Sequence, residues 1–217
     1  MKPAVAVKKL GRPVDPELSA RRNEEILEAA VKLFAEHGYA GTDMQIVADT
    51  VQVGKGTIYR YFPSKRALFL AAADQIMRKM RKTIDTLIAD VEDPFQRIRL
   101  GIRTFLGFFQ NRPDYVELLV QERAIFKDRK KPTYYQHLEL NVTRWQALYR
   151  GLMADGRVRD MPVERITDVI SDLLYGTIFT NYFSGRSKSL EAQAQDITDM
   201  VFFGVLSGSE RSRQSAP

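Results

Sequence analysis

The stretch VGKGTIYRYF, residues 53–62, decides how the rest of this sequence is interpreted. Two glycines around a lysine, followed by a threonine, are typical of a loop that holds a phosphate group. The same residues also fit a short helix that presents a cation, a hydroxyl and phenols to DNA. The first interpretation leads to an enzyme and the second to a DNA-binding protein.

The spacing of the glycines argues against a phosphate loop. The pattern G-x-x-x-x-G-K-[ST] requires a glycine where Asp49 stands and a hydroxyl where Gly56 stands. The dinucleotide pattern G-x-G-x-x-G requires a third glycine at Tyr59 and a preceding strand, whereas residues 43–51 predict a helix. We therefore expect no nucleotide cofactor at this stretch.

Composition removes further kinds of site. The chain has no cysteine, which excludes disulfides, thiolate metal sites and cysteine nucleophiles. Its two histidines, His37 and His137, are far apart in the sequence, and we expect no metal site. An enzyme that uses the helical remainder of the chain has no visible nucleophile or acid and base pair, so we expect the protein not to be an enzyme.

Length and charge set the broad class. The 217 residues, 44% hydrophobic and 28% charged, suffice for one or two globular domains. The net charge of +6 favours an acidic partner, and residues 1–22 carry six basic against two acidic side chains. No apolar stretch resembles a secretory signal or reaches the roughly 18 residues of a membrane span. We therefore expect a cytoplasmic protein that does not insert into membranes.

Three helices are predicted around the opening stretch. Residues 21–39 place apolar side chains on one helical face, and Gly38 is positioned to end that helix. Thr42 and Gln45 have the spacing of a capping box for a second helix of about nine residues. A tight turn then leads into a third helix over 55–61, which Pro63 stops.

Two short helices joined by a tight turn and supported by a longer one form a helix-turn-helix unit. Ile58 and Phe62, four residues apart, would face the three-helix core. The open face then carries Lys55, Gly56, Thr57, Arg60 and Tyr61. Spacing alone leaves a second interpretation open, in which Tyr59 and Tyr61 only cover the core of a small helical domain.

Residues 38–69, GYAGTDMQIVADTVQVGKGTIYRYFPSKRALF, resemble the DNA-binding half of the TetR family of bacterial transcriptional regulators. The family pattern is matched in register by Gly38, Tyr39, Thr42, Val47, Ala48, Val53, Gly56, Ile58, Tyr59, Tyr61, Phe62, Lys65 and Leu68. The resemblance is strong over residues 20–70. Beyond them it rests on the number and order of helices.

The resemblance implies roles for individual residues. Positions matching Lys55, Gly56, Thr57 and Arg60 face the DNA groove, and Gln45 matches a position from which some members contact a base. The remaining matches hold the phosphate backbone; they are Thr42, Tyr59, Tyr61 and Lys65. Two positions depart from the pattern: Gln52 replaces a turn glycine, which costs energy if the turn needs positive φ, and Gly54 replaces a Ser/Thr cap.

The leading segment KKLGRPVDPELSARR resembles a basic arm that enters a neighbouring minor groove, with Arg12 as the inserted side chain. The alternative is a solvated tail without a DNA contact. We accordingly divide the chain into a flexible basic arm (1–19), a helix-turn-helix domain (20–66), a ligand-binding and dimerisation domain (67–207) and a flexible tail (208–217).

The larger domain is predicted to be helical throughout, which gives an all-α protein of about nine helices. Ser64 can cap a fourth helix, and prolines at positions 94, 113, 132 and 162 open the next four. The segment SGRSKS separates the eighth helix from the ninth, and the charged loop KDRKKP is interpreted as a solvated connection. The last two helices carry more apolar residues than one buried face needs, which favours a homodimer interface there.

The resemblance also implies an apolar effector cavity in the larger domain. Its candidate residues are the aromatic side chains of the middle helices and two charged residues in an apolar run: Phe105, Phe109, Glu122, Arg123, Phe126, Trp145, Tyr149, Tyr175 and Phe179. Core packing explains most of these aromatics equally well, and surface exposure or mutual pairing explains the two charges.

The sequence thus predicts a homodimeric repressor that binds a palindromic double-stranded DNA operator. A small hydrophobic effector would release it. A DNA-binding activator or architectural protein that needs no ligand is the alternative.

Overall fold

A computed structural model describes residues 15–185 and 188–204 of the chain, and these residues form nine α-helices and no strand. The prediction of an all-α fold is confirmed. The helices are α1 (Pro16–Gly41), α2 (Met44–Thr50), α3 (Lys55–Tyr61), α4 (Lys65–Ile88), α5 (Pro94–Gln110), α6 (Pro113–Ile125), α7 (Thr133–Ala154), α8 (Val163–Ser184) and α9 (Leu190–Phe203).

Helix α1 begins within the segment predicted to be an arm. The Asp15 side chain accepts hydrogen bonds from the backbone N–H groups of Glu17 and Leu18, and Pro16 occupies the first helical position. Residues 16–19 are therefore helical, and the predicted boundary of a flexible arm at residue 19 is wrong. Gly38, with φ 72° and ψ 167°, kinks the helix near its end, where the sequence predicted a stop.

The start of α2 differs from the predicted capping box. Asp43 is the N-cap, and its carboxylate accepts from the backbone N–H of Gln45 at 2.6 Å. Thr42 is buried instead, and its hydroxyl donates towards the carbonyl oxygens of Leu33 and Gly38. The hydroxyl therefore ties the end of α1 to the loop before α2, and the predicted cap at Thr42 is wrong.

The turn between α2 and α3 has the geometry that the sequence predicted to be costly. Gln52 has φ 54°, in the left-handed region that favours glycine. The N–H of Val53 bonds to the carbonyl of Ala48 and that of Gln52 to the carbonyl of Asp49, which is a Schellman motif. Gly54 then serves as the N-cap of α3 without a side-chain bond.

The two domains share one packed junction. An aromatic cluster of Phe34, Tyr39, Phe69 and Phe126 joins α1 and α4 to the end of α6, with ring centroids 4.9–5.9 Å apart. Helix α4 follows α3 after three residues, and it also packs against α5, α6 and α7 of the larger domain. Movement of α4 within the larger domain therefore acts directly on the helix-turn-helix unit.

Charged side chains reinforce that junction. Glu28 of α1 accepts from Lys79 of α4 at 3.1 Å and from Arg112, at the start of α6, at 2.7 Å. Arg112 also pairs with Asp114 at 2.6 Å and lies 3.8 Å from the ring centroid of Tyr115. We call Glu28, Lys79, Arg112 and Asp114 the junction ion network.

The loop KDRKKP is more than a solvated connection. Arg66 of α4 pairs with Asp128 of this loop at 2.5 Å. Arg129 binds the buried carboxylate of Glu122, which also accepts from the backbone N–H of Thr133 at 2.9 Å. The loop thus links the ends of α6, α7 and α4.

Candidate DNA interface and apolar cavity

The first candidate site is the open face of α3 with the start of α2. Ile58 is fully buried and Phe62 is 6% exposed, which confirms that both face the core. Arg60 and Tyr59 are exposed, and Lys55 and Thr57 are partly exposed. The side chains at positions 55, 57 and 60 therefore reach the surface, as reading a major groove requires.

Gly56 has a particular place on this face. A Cβ built there would meet no protein atom within 4 Å, and Gly56 lies in a regular helix without positive φ. Neither the fold nor the backbone conformation of the protein requires glycine at this position. A close approach of DNA to the start of α3 would explain it.

Lys55 and Gln45 have partners on the protein surface. Lys55 Nζ lies 3.2 Å from Asp43 Oδ1, and Gln45 donates to Asp49 at 2.7 Å. The hydrogen bond from the N–H of Gln45, followed by the one from Lys55, lowers the pKa of the Asp43 carboxyl. These exposed contacts are weak in water, so a phosphate or a base edge can replace them.

The structure assigns other contacts to three side chains with an implied phosphate role. Thr42 is buried, and its hydroxyl is used within the fold. Lys65 donates to the carbonyl of Thr42 at 3.0 Å and lies 4.7 Å from the ring centroid of Tyr39. The Tyr61 hydroxyl is 3.2 Å from that of Ser19. Arg12 lies outside the described residues, so its minor-groove contact stays a prediction.

The second candidate site is an apolar cavity in the larger domain, lined by α4, α5, α7 and α8. It comprises about 850 Å³ when the space at its open mouth is included, within the range of small-molecule sites. Its wall is mainly aliphatic and aromatic, and includes Met77, Met80, Ile84, Ile102, Phe105 and Leu174.

Three of the nine predicted effector residues line this apolar cavity: Phe105, Trp145 and Tyr149. Trp145 extends from α7 to α5, where a Cβ on Gly101 would lie 2.9 Å from its ring. Glycine at position 101 therefore lets the indole pack directly against the backbone of α5. Burial raises the pKa of the Tyr149 hydroxyl above its ordinary value.

The other six predicted residues lie outside the cavity wall. Phe109 is buried between Phe105 and Phe108, and Phe126 belongs to the aromatic cluster at the domain junction. Tyr175 and Phe179 stack on each other along α8, with centroids 4.3 Å apart. The two charged residues separate: Glu122 is buried in its contacts with Arg129 and Thr133, whereas Arg123 is exposed.

Sequence reasoning missed the wall contributed by α4 and the polar part of α7. Met77, Met80 and Ile84 have the spacing of an ordinary buried helix face, which does not distinguish core from cavity. His137 was interpreted as a surface or structural residue. It lines the cavity, and its Nε2 lies 2.7 Å from Asp74 Oδ1.

The described residues therefore form an all-helical protein with a helix-turn-helix DNA-binding unit joined to a domain that contains a cavity. Residues 26–72 match the family described as bacterial regulatory proteins, tetR family. The helix-turn-helix domain belongs to the TetR family, which confirms the resemblance found in the sequence.

Curated relatives support this assignment. The chain is 26% identical to the uncharacterised HTH-type transcriptional regulator YerO of Bacillus subtilis, over 83% of this chain and 62% of YerO. It is 36% identical to the regulator MT1294 of Mycobacterium tuberculosis, over 44% and 50% of the two chains. It is 28% identical to the transcriptional repressor KstR of M. tuberculosis, over 79% and 77%. The chain thus spans about half to three quarters of these relatives.

Solved structures share the fold across both domains. FadR of Bacillus halodurans, a fatty acid degradation regulator, has a TM-score of 0.75 at 16% identity, over 89% of this chain and 98% of FadR. FadR of B. subtilis in complex with stearoyl-CoA scores 0.70 at 16% identity, over 84% and 99%. AibR in complex with isovaleryl coenzyme A and operator DNA scores 0.63 at 20%, over 83% and 98%. These proteins are regulators, not enzymes. No helix within the described ranges is long and apolar enough to cross a membrane.

Proposed function

We propose that this chain is a homodimeric transcriptional repressor of the bacterial cytoplasm that an acyl-CoA thioester releases from a palindromic operator. The observation that carries the proposal is the position of α4. This single helix begins three residues after α3, and its middle residues, including Met77, Met80 and Ile84, form a wall of the apolar cavity. A guest in the cavity can therefore change the position of α3.

The open face of α3 supports sequence-specific binding to DNA. Arg60 and Tyr59 are exposed, and the small surface at Gly56 allows the helix start to approach the groove. Arginine recognises guanine edges and phosphates, and a hydroxyl such as that of Thr57 bonds to either. One such short helix reads only a few base pairs, so an operator needs two copies.

The last two helices support a dimer. Large apolar side chains are exposed on both, among them Val169 at 52%, Phe183 at 68%, Met200 at 50% and Phe203 at 56%. Such surface on neighbouring helices fits a two-fold interface, in which each protomer covers the same patch of its partner. Two recognition helices about 34–36 Å apart then bind successive major grooves on one side of the duplex.

An acyl-CoA fits the cavity and its rim. Two neighbours with the same fold are complexed with stearoyl-CoA and with isovaleryl coenzyme A. The apolar wall suits an acyl chain, and the exposed Arg81 and Arg144, which also line the cavity, suit the phosphates of the CoA moiety. An effector that prefers one position of α4 shifts the population between two domain arrangements and lowers operator affinity accordingly.

The test begins with selection of an operator from randomised DNA, followed by footprinting and light scattering. We expect one compact protected palindrome bound by a dimer. Acyl-CoAs of increasing chain length are then titrated into the complex, with free CoA as the control, and release is measured by fluorescence anisotropy. Scattered, sequence-tolerant protection would contradict specific binding, and constant operator affinity across all acyl-CoAs would contradict effector release.

A further inference from the structure

Two side chains that line the apolar cavity contain a polar atom without a hydrogen-bond partner in the described part of the chain. These atoms are His137 Nδ1 and the Tyr149 hydroxyl, and both residues are more than nine-tenths buried, at 7% and 4% exposure. Buried polar groups in folded proteins nearly always have a partner, because the loss of hydration is otherwise uncompensated. Each exception therefore requires an explanation.

The neighbouring polar groups of the cavity wall have their partners within the protein. Asn141 donates to the carbonyl of His137 at 2.6 Å, Thr167 to the carbonyl of Glu164 at 3.0 Å, and Ser171 to that of Thr167 at 2.7 Å. The lack of a partner is thus confined to one nitrogen and one hydroxyl on α7.

The two atoms require different partners. A carboxylate accepts hydrogen bonds, so the proton of the His137 ring lies on Nε2, 2.7 Å from Asp74 Oδ1. In the neutral ring Nδ1 is then an acceptor that needs a donor. The Tyr149 hydroxyl can donate to a carbonyl or a hydroxyl. A plain acyl chain has a thioester carbonyl for Tyr149 but no donor for His137.

The positions of the two residues indicate an elongated guest. His137 and Tyr149 are twelve positions apart on one continuous helix, which separates their backbones by about 18 Å at 1.5 Å per residue. One small polar group does not span that distance. The guest must therefore carry its donor and its acceptor at separate places along an apolar body.

We propose that the effector is an elongated apolar acyl compound bearing a hydroxyl group, which donates to His137, and a separate oxygen, which accepts from Tyr149. This inference rests on the proposed release by an acyl-CoA and adds the chemistry of the acyl part. The unpartnered atoms are then the specificity determinants of the cavity, which favour a hydroxylated chain over a plain one.

The test compares palmitoyl-CoA with its β-hydroxy and ω-hydroxy counterparts. Binding is measured by titration calorimetry and by the fluorescence of Trp145, the single tryptophan of the chain, which lines the cavity. We expect at least one hydroxylated compound to bind about tenfold more tightly than palmitoyl-CoA, the size of effect that one buried hydrogen bond produces. Equal binding of all three would overturn the inference and leave the proposed release by acyl-CoA intact.

Variants locate the preference. Tyr149→Phe and His137→Phe should each reduce it, and His137→Gln, which keeps an acceptor, should retain part of it. Tyr175→Phe removes a tyrosine hydroxyl outside the cavity wall and should leave the preference unchanged. A preference that survives both Tyr149→Phe and His137→Phe would overturn the assignment. If no acyl-CoA changes operator affinity, the proposed function fails, and this inference fails with it.

Thermal unfolding without effector gives a readout that does not depend on binding. Removal of an unpartnered buried hydroxyl should stabilise the free protein, so Tyr149→Phe should raise the unfolding temperature by about 2–4 °C. Tyr175→Phe, at a half-buried residue, should not. A lower unfolding temperature for Tyr149→Phe would show that the hydroxyl already has a partner in the free protein, which contradicts the proposal.

Discussion

The DNA-facing surface and the apolar cavity are built in opposite ways. The first comes from one contiguous stretch, residues 42–62, in which local hydrogen bonds set the geometry of each turn. The second needs four helices spread over about half of the chain, and its wall depends on how they pack. The comparison teaches that a substitution in the first acts through side-chain chemistry, whereas one in the second acts through shape.

The largest expected effect is at Arg60, an exposed side chain whose loss should leave the fold intact. Arg60→Ala should weaken operator binding by about 1–3 kcal/mol for each half-site. Fluorescence anisotropy with the selected operator measures this, and Arg123→Ala, at an exposed arginine of α6, is the matched control. Equal losses for the two variants would mean that only net charge matters and would remove the proposed role of α3.

The cavity should respond to a single methyl group. In Gly101→Ala the new Cβ would lie 2.9 Å from the Trp145 ring, so the indole must move into the cavity. We expect acyl-CoA affinity to fall by about 1–3 kcal/mol, as for other overpacked sites, with operator affinity of the free protein unchanged. Gly151→Ala on α7, where the Cβ meets nothing within 4 Å, is the control and should leave both affinities unchanged.

The junction ion network should contribute stability that depends on pH. Burial raises the pKa of Glu28, but hydrogen bonds from Lys79 and Arg112 outweigh it and lower the pKa below the ordinary 4.5. A lowered folded-state pKa stabilises the protein above the unfolded value, and this contribution is lost as pH falls through the folded value. Glu28→Gln should therefore cost about 1 kcal/mol of unfolding free energy near pH 7 and little near pH 3.

Urea denaturation at the two pH values tests this, with Glu36→Gln on the same helix as the control because Glu36 is exposed and makes only a 4.0 Å contact with His37. A cost for Glu28→Gln that is the same at both pH values would show that shape rather than charge is lost. The network also joins both domains, so the variant should weaken the effect of an acyl-CoA on operator affinity.

How much could be predicted from the sequence follows the same division. The positions of α2 and α3, the inward side chains Ile58 and Phe62, and the costly turn at Gln52 all depend on contacts between near neighbours, and the sequence predicted them. The cap at Asp43 was missed because Thr42 and Asp43 are both good capping residues, and tertiary contacts with α1 decide between them.

The cavity was less predictable because its wall is defined by what does not fill it. Aromatic residues of the middle helices were all candidates, but only packing separates Phe105, which lines the cavity, from Phe109, which lies beneath it. The ion pair between Arg129 and Glu122 had no sequence signal, since seven positions and a loop separate them.

The turn at Gln52 allows a smaller test of the local site. Its φ of 54° suits glycine, so Gln52→Gly should stabilise the protein by about 1 kcal/mol in urea denaturation. Operator affinity should change little, because the Schellman hydrogen bonds already hold α3 in place. Gln195→Gly, within α9, is the control and should destabilise the protein by about as much.

The smallest expected effect on stability, at Gly56, separates the two sites most directly. The helix interior at this position has room for a methyl group, so Gly56→Ala should stabilise the protein by about 0.5–1 kcal/mol through helix propensity. If DNA approaches the start of α3 closely, the same methyl group should reduce operator affinity, so stability and function move in opposite directions. Gly101→Ala should instead disturb effector binding alone. Unchanged operator affinity for Gly56→Ala would mean that the start of α3 does not lie against the duplex, and the docking of the recognition helix would need revision.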